Sequence, residues 1–249
     1  MIDAAALRQV RERLAAARSL GVLTGAGMSA ESGIPTFRDA LTGLWSRFDP
    51  ARLASEEGFR ADPALVWDWY ASRRDGVRAA QPNAGHRALA EFAQRHPGRM
   101  TLVTQNVDDL HPRGGQPQTI RLHGAILEDR WSTPCPRGRA CDPAGAAAGR
   151  PPRCADCGNL VRPNVVWFGE MLPEGALEAA QQAFGSCAVA LVVGTSGAVW
   201  PAAGLAGAAR RAGAFVVIVN PQPSEIDGDA HVVLRGTAAE LLPALLQGL

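Results

Sequence analysis

Three runs of the 249-residue chain place reactive or ligand-binding side chains at telling intervals. Gly25-Ala26-Gly27-Met28-Ser29-Ala30 fits the spacing G-x-G-x-x-G/A. Glycines at those positions permit a tight turn and let backbone N–H groups approach a pyrophosphate. Alone the pattern is a weak signal, because any strand-to-helix turn can use glycine. In a hydride-transfer enzyme a regular helix follows, with an acidic residue about 20 positions on. Here Glu31-Ser-Gly-Ile-Pro-Thr-Phe-Arg-Asp39 follows, and Pro35 prevents a long regular helix. That interruption argues against a conventional dehydrogenase. In the second run, Gln105-Asn106-Val107-Asp108, the polar side chains either cap a turn or meet a polar ligand. The third run is His123-Gly124. A lone histidine at a strand end is more often a satisfied structural residue than a catalyst. Beside a cofactor crevice, an imidazole with a pKa of about 6.5 can exchange a proton at neutral pH. His86, His96, His111 and His231 carry only the structural reading.

Two further groupings are chemical. Cys135, Cys141, Cys154 and Cys157 crowd into residues 130–163, a stretch rich in proline and glycine with too few large apolar residues for a core of its own. Cys154-Ala-Asp-Cys157 is a C-x2-C pair, whose tight knuckle aims two thiolates at one metal. Cys135 and Cys141 are the available partners; otherwise the site has decayed and they are free thiols. Cys187, at the start of a buried strand, reads as a small core residue. Tyr70 and Arg73 lie three apart in Trp67-Asp-Trp-Tyr-Ala-Ser-Arg73, so on a helix they share a face. Such pairs usually serve packing or surface, yet a guanidinium with a phenol O–H also suits a carboxylate.

The elements that must hold these groups follow from periodicity. Short apolar runs at 20–24, 100–104, 119–123, 189–193 and 214–219 read as strands. They end in Gly25, Gln105, His123, Gly194 and Asn220. Helical spacing marks 7–17, 83–94, 202–211 and 238–246. The fold class expected is α/β, a Rossmann-like doubly wound parallel sheet, in which ligands bind beyond the carboxyl ends of the strands. The five strand ends would then line one crevice suited to a nucleotide. Residues 1–40, 83–124 and 166–249 are expected to form that domain. A helical insertion at 41–82 and a cysteine-bearing insertion at 125–165 would form a smaller module.

The formal net charge is +1, so no basic nucleic-acid footprint is expected. No stretch reaches the roughly 18 apolar residues of a membrane span. The mixed-charge start and the clustered cysteines favour a cytoplasmic protein in a reducing compartment.

The run from Gly25 to Asp39 resembles the signature NAD loop of sirtuins. Gln105-Asn-Val-Asp108 and His123-Gly124 resemble the second and third signatures of that family, and Phe168-Gly-Glu170, Gly194-Thr-Ser196 and Asn220 resemble later ones, in family order across nearly the whole chain. The resemblance implies an NAD-dependent protein-lysine deacylase in which NAD is consumed. The acyl oxygen would attack the nicotinamide-ribose carbon, and His123, as general base, would activate a ribose hydroxyl, giving free lysine and O-acyl-ADP-ribose. It assigns Asn106 and Asp108 to the nicotinamide and its ribose, Gln105 to the ribose, Phe37 to shielding the reactive carbon, and Arg38 to the cofactor's vicinity. Gly25, Ala26, Gly27, Ala30, Gly194, Thr195, Ser196, Asn220 and Ala238 complete the implied NAD contacts. The acyl-lysine peptide, the implied partner, would add as a strand beside 165–169, touching Val166, Phe168 and Gly169.

Tyr70 and Arg73 resemble the Tyr-x-x-Arg of the sirtuin subgroup that removes succinyl and malonyl groups, and Ala54 falls where that subgroup keeps a small residue. The family's usual first C-x2-C is missing: Trp131 and Pro134 stand at its positions, leaving Cys135 and Cys141 to complete a structural Zn²⁺ site with Cys154 and Cys157. Two rival readings are an NAD glycohydrolase or ADP-ribosyltransferase, and a catalytically silent NAD-binding module. The Tyr70/Arg73 pair argues against the first, and His123, Asn106 and Asp108 against the second.

Overall fold

The computed structural model describes residues 3–36, 49–134 and 141–249. Its larger sheet is wholly parallel, with six strands: β1 (Leu20–Thr24), β2 (Met100–Thr104), β3 (Ile120–Arg121), β6 (Val189–Val193), β7 (Phe215–Val219) and β8 (Val232–Leu234). They run in the order β3-β2-β1-β6-β7-β8, which puts the order reversal at β1. All five residues of β1 and of β6 are buried, as expected where both faces of a sheet are covered and the sequence is a continuous apolar run.

Successive residues point to opposite faces, and the two faces have separate cores. Val22, Leu102, Leu191 and Val217 pack against α1 (Ala4–Ala16), α5 (Ala84–Arg95) and α9 (Ala238–Leu246) through Val10, Leu14, Leu89, Phe92, Leu241 and Leu245. Leu23, Val103, Val192 and Ile218 pack against α7 (Ala176–Ser186) and α8 (Gly204–Arg211) through Phe184, Leu205 and Ala209. Helix starts are set by caps. Asn83 accepts from the Gly85 and His86 N–H groups, and Thr237 with Glu240 closes a reciprocal capping box on α9.

A second unit sits on the carboxyl side. It combines α2 (Pro50–Leu53), α3 (Glu56–Ala61) and α4 (Pro63–Ala79) with an antiparallel pair, β4 (Gly124–Trp131) and β5 (Val161–Val165). One core joins them: Leu53, Phe59, Val66, Trp69 and Tyr70 from the helices meet Ile126, Val165 and Trp167. Arg74 of α4 ties the two parts, donating to the Ile126 carbonyl at 2.6 Å and pairing with Asp129 at 2.6 Å. After β1 the chain makes only two short 3-10 turns, Ala26–Met28 and Ala30–Ser32, before Pro35. Among the described residues no helix is long and apolar enough to cross a membrane.

Candidate active site

The strand ends converge as parallel pairing requires. Gly25 N–H donates to the Val193 carbonyl, Gln105 N–H to that of Thr24, and Gly194 N–H to that of Val219. The turn after β1 lies directly on the turn after β6. Gly27 N–H donates to the Gly194 carbonyl at 2.8 Å, and a Cβ on Gly27 would stand 2.8 Å from the Gly194 Cα. Gly194 itself has φ 63°, and a Cβ there would meet the Met28 nitrogen at 2.4 Å. Neither position tolerates a side chain, so the two turns meet backbone to backbone at the ends of the strands. Gln105 donates to the Thr195 hydroxyl at 3.1 Å, and Asn220 to the Thr195 carbonyl at 3.2 Å. Ala26 and Ala30 occupy the two 3-10 turns, and Ser196 is exposed beside them. Ala238 is buried, with its side chain in the core, so only its backbone is available to a ligand. Phe37 and Arg38 lie outside the described residues.

The strand expected at 119–123 is shorter, β3 ending at Arg121, and His123 follows it by two residues, with Nδ1 3.0 Å from the Gln105 carbonyl oxygen. A carbonyl can only accept, so Nδ1 carries the proton and Nε2 keeps its lone pair. Burial pushes the imidazole pKa down, and the bond to Gln105 raises it in part. The ring is therefore neutral at pH 7, with Nε2 ready to take a proton.

Asn106 and Asp108 are both buried, and one hydroxyl holds them together. Ser29 donates to Asp108 at 2.9 Å and accepts from the Asn106 amide at 3.2 Å. Asp108 also accepts the Leu110 N–H at 3.0 Å. Burial raises the Asp108 pKa, against these two hydrogen bonds. Beneath lie His86, 3.5 Å from the Ser29 hydroxyl, and His111, whose Nε2 is 3.0 Å from the Thr24 hydroxyl. Thr24 donates to Thr104, which accepts the Asn106 N–H. The sequence reading missed Ser29, Thr24, Thr104 and the two histidines as supports of Asn106 and Asp108. Only the position of Ser29 inside the glycine run hinted at it.

The proposed acyl end adjoins this group. The Val166 N–H donates to the His123 carbonyl, and the Phe168 N–H to that of Ala54, so this segment spans from the histidine to the helical unit. Gly169 turns the chain with φ 85°. Tyr70 is buried; its hydroxyl accepts from Trp167 Nε1 at 2.9 Å. Arg73, half-buried, lies with Cζ 4.8 Å over the Trp69 ring and 5.5 Å over that of Tyr70. Burial lowers the Arg73 pKa, while Tyr70 and Asp108 raise it, which puts the guanidinium within electrostatic reach of the buried carboxylate.

Cys141, Cys154 and Cys157 converge, their sulfur atoms within 4.8 Å of one another. Cys135 lies outside the described residues. The knuckle is shaped by hydrogen bonds from the Gly158 N–H to the Cys154 carbonyl and from the Cys154 N–H to that of Asn159. Backbone N–H donation, first from Cys157, lowers the Cys154 thiol pKa, which favours the thiolate that a metal needs. Three soft ligands in a tight knuckle fit Zn²⁺. Trp131, which stands where the resemblance expects a ligand, instead donates its indole N–H to the Cys141 carbonyl. Asn159 adds a clip, donating to the Thr133 carbonyl and accepting from Ser132.

The sequence model of the Sir2 family matches residues 25–201. The chain belongs to the Sir2 family. A protein of Ralstonia nicotianae named NAD-dependent protein deacylase is 53% identical over 244 residues, covering 98% of this chain and 97% of its own. A solved Sir2 homologue–NAD complex is 40% identical with a TM-score of 0.83, covering 96% of this chain and 92% of that one. Sir2 bound to an acetylated peptide is 29% identical with a TM-score of 0.82, covering 95% of each chain. This sirtuin thus aligns with both complexes over the crevice and the second unit together.

Proposed function

We propose that this chain is an NAD-dependent protein-lysine deacylase whose acyl pocket also accepts succinyl and malonyl groups. The observation that carries the first part is the neutral His123, locked through Nδ1 on the Gln105 carbonyl beside the Gly27–Gly194 contact. When bound, NAD supplies an electrophilic ribose carbon and nicotinamide as leaving group. His123 Nε2 takes the proton of a ribose hydroxyl. Asn106 and Asp108, held by Ser29, orient the nicotinamide end. Val166, Phe168 and Gly169 align the acyl-lysine peptide, on a segment hydrogen-bonded to the His123 and Ala54 carbonyls. The large unit comprises 1–40, 83–124 and 166–249, and the insertions at 41–82 and 125–165 make the small one, a division supported by the shared core of Tyr70, Ile126 and Val165. The thiol-rich knuckle agrees with a reducing, cytoplasmic setting.

The second part is supported by Tyr70 and Arg73 on one face of α4. A succinyl carboxylate entering a partly dry pocket is costly unless a cation meets it. Mass spectrometry of matched acetyl, malonyl and succinyl peptides with and without NAD tests both parts. Arg73→Met should cut kcat/KM on succinyl peptides by about ten- to a hundredfold while largely sparing acetyl peptides, the range of one charge-assisted hydrogen bond. Equal losses on the two would make the pair structural.

A further inference from the structure

We propose that Trp167 is a positioning residue for acyl specificity: its indole N–H occupies an acceptor direction of the Tyr70 hydroxyl and commits the phenol to donating its own proton to the carboxylate of an acidic acyl group. The proposal rests on the reading of Tyr70 and Arg73 as the end of the acyl pocket.

Trp167 Nε1 lies 2.9 Å from the Tyr70 hydroxyl oxygen, and both side chains are buried. An indole N–H can only donate, so the polarity of this bond is fixed and the tyrosine oxygen accepts. The tyrosine proton must then point elsewhere. Arg73, stacked 5.5 Å over the same ring, offers donors and no acceptor. A phenol and a guanidinium that both donate suit an anion. A neutral acetyl group has no oxygen at that depth to receive them.

Trp167 is itself fixed from several sides. Its backbone N–H donates to Glu170 at 2.8 Å, and the Phe59 ring lies 5.3 Å from its own. Arg162 Cζ stands 3.2 Å from the indole centroid. That guanidinium is buried, held by Glu170 and by the Val165 carbonyl at 2.7 Å. A cation on the indole face draws on the electron-rich ring and so sharpens the N–H as a donor. Burial raises the Tyr70 pKa above its ordinary value, which keeps the donating form at neutral pH. Trp167 lies between Val166 and Phe168, so the segment that aligns the peptide also sets the polarity of the phenol.

The test measures kcat/KM on matched succinyl-lysine and acetyl-lysine peptides at saturating NAD, for wild type, Trp167→Phe, Tyr70→Phe and the double variant. Phenylalanine keeps an aromatic ring and removes the donor; its smaller bulk affects both peptides alike. The succinyl-to-acetyl ratio should fall about three- to tenfold in Trp167→Phe, the size of one neutral hydrogen bond, chiefly through KM. In the Tyr70→Phe background the same change should lower the ratio no further. Equal losses on both peptides, an unchanged ratio, or full additivity would overturn the proposal. If Trp167→Phe does not fold, the wild type gives a second reading. The Trp167 indole N–H resonance, recognised by its displacement in Tyr70→Phe, should move downfield with the succinyl peptide and not with the acetyl one, because a donating phenol is a stronger acceptor. A resonance indifferent to the acyl group overturns the proposal. Arg73→Met separates the two levels. If it costs both peptides equally, the pocket reading fails; if it discriminates and Trp167→Phe does not, only the Trp167 assignment fails.

Discussion

His123 has one ring nitrogen spent on a backbone carbonyl and the other available, so its whole chemical use rests on Nε2. His123→Ala should lower NAD-dependent deacylation by on the order of 100-fold or more with an unchanged fold, the usual loss of a general base. Circular dichroism beside turnover measurements checks this; a folded variant with near-normal turnover would sink the assignment. Burial lowers the pKa, so the basic form persists below the ordinary histidine range, and the acid limb of kcat/KM is expected under pH ~6.5. The place of His123 near a strand end, before a glycine, was legible in the sequence, although β3 itself ends two residues earlier, at Arg121. The supports of Asn106 and Asp108 were not. Ser29, His86 and His111 come from three separate segments, and no local pattern records that the fold brings them together. Tyr70 and Arg73 were legible as a helical pair, but the Trp167 bond to Tyr70 joins α4 to a residue after β5, which periodicity cannot foresee.

At the scale of elements, β4 and β5 carry the cysteine module between them and share a core with α4. Much of what shapes this module is polar: Asn159 clips Ser132 and Thr133, and Trp131 donates to the Cys141 carbonyl. Such a module depends on a metal to offset the entropy of ordering its loop. Elemental analysis should find about one zinc per chain. Chelation should then loosen the hairpin and α4 before the parallel sheet, seen as early loss of hydrogen-exchange protection in 124–165. Metal-free protein that is fully active and equally protected would favour unmetallated thiols. The central strands were readable from their apolar runs. β4 was not, because Gly124–Trp131 mixes apolar, acidic and basic residues and its register shifts between Ala125 and Asp129. A strand with a bulge breaks the alternation that a sequence reading relies on.

For the whole molecule, the buried histidine pair makes stability depend on pH. Burial first, then Arg87, pushes His86 down to about 4. His111 is pushed to about 3 by burial, His86 and Arg121. Their rings are 4.9 Å apart, so the two do not add independently. Both values lie below the unfolded value of about 6.5, so between these limits the unfolded chain binds more protons. Stability should therefore be level above pH ~6.5 and fall on acidification, by about 2 kcal/mol between pH 6.5 and 5 for one such group. Urea melts across that range check it, with His86→Gln expected to reduce the slope; a flat profile would contradict the burial argument. The strand order has a consequence for biosynthesis. Of these six strands β1 is made before the others, yet it lies inside the sheet, between β2 and β6. As the chain leaves the ribosome, one edge of β1 stays open until 100–104 have emerged and the other until 189–193 follow. Until those partners arrive, the buried strand Leu20–Thr24 has open backbone edges, which leaves the partly made chain exposed to wrong strand pairing.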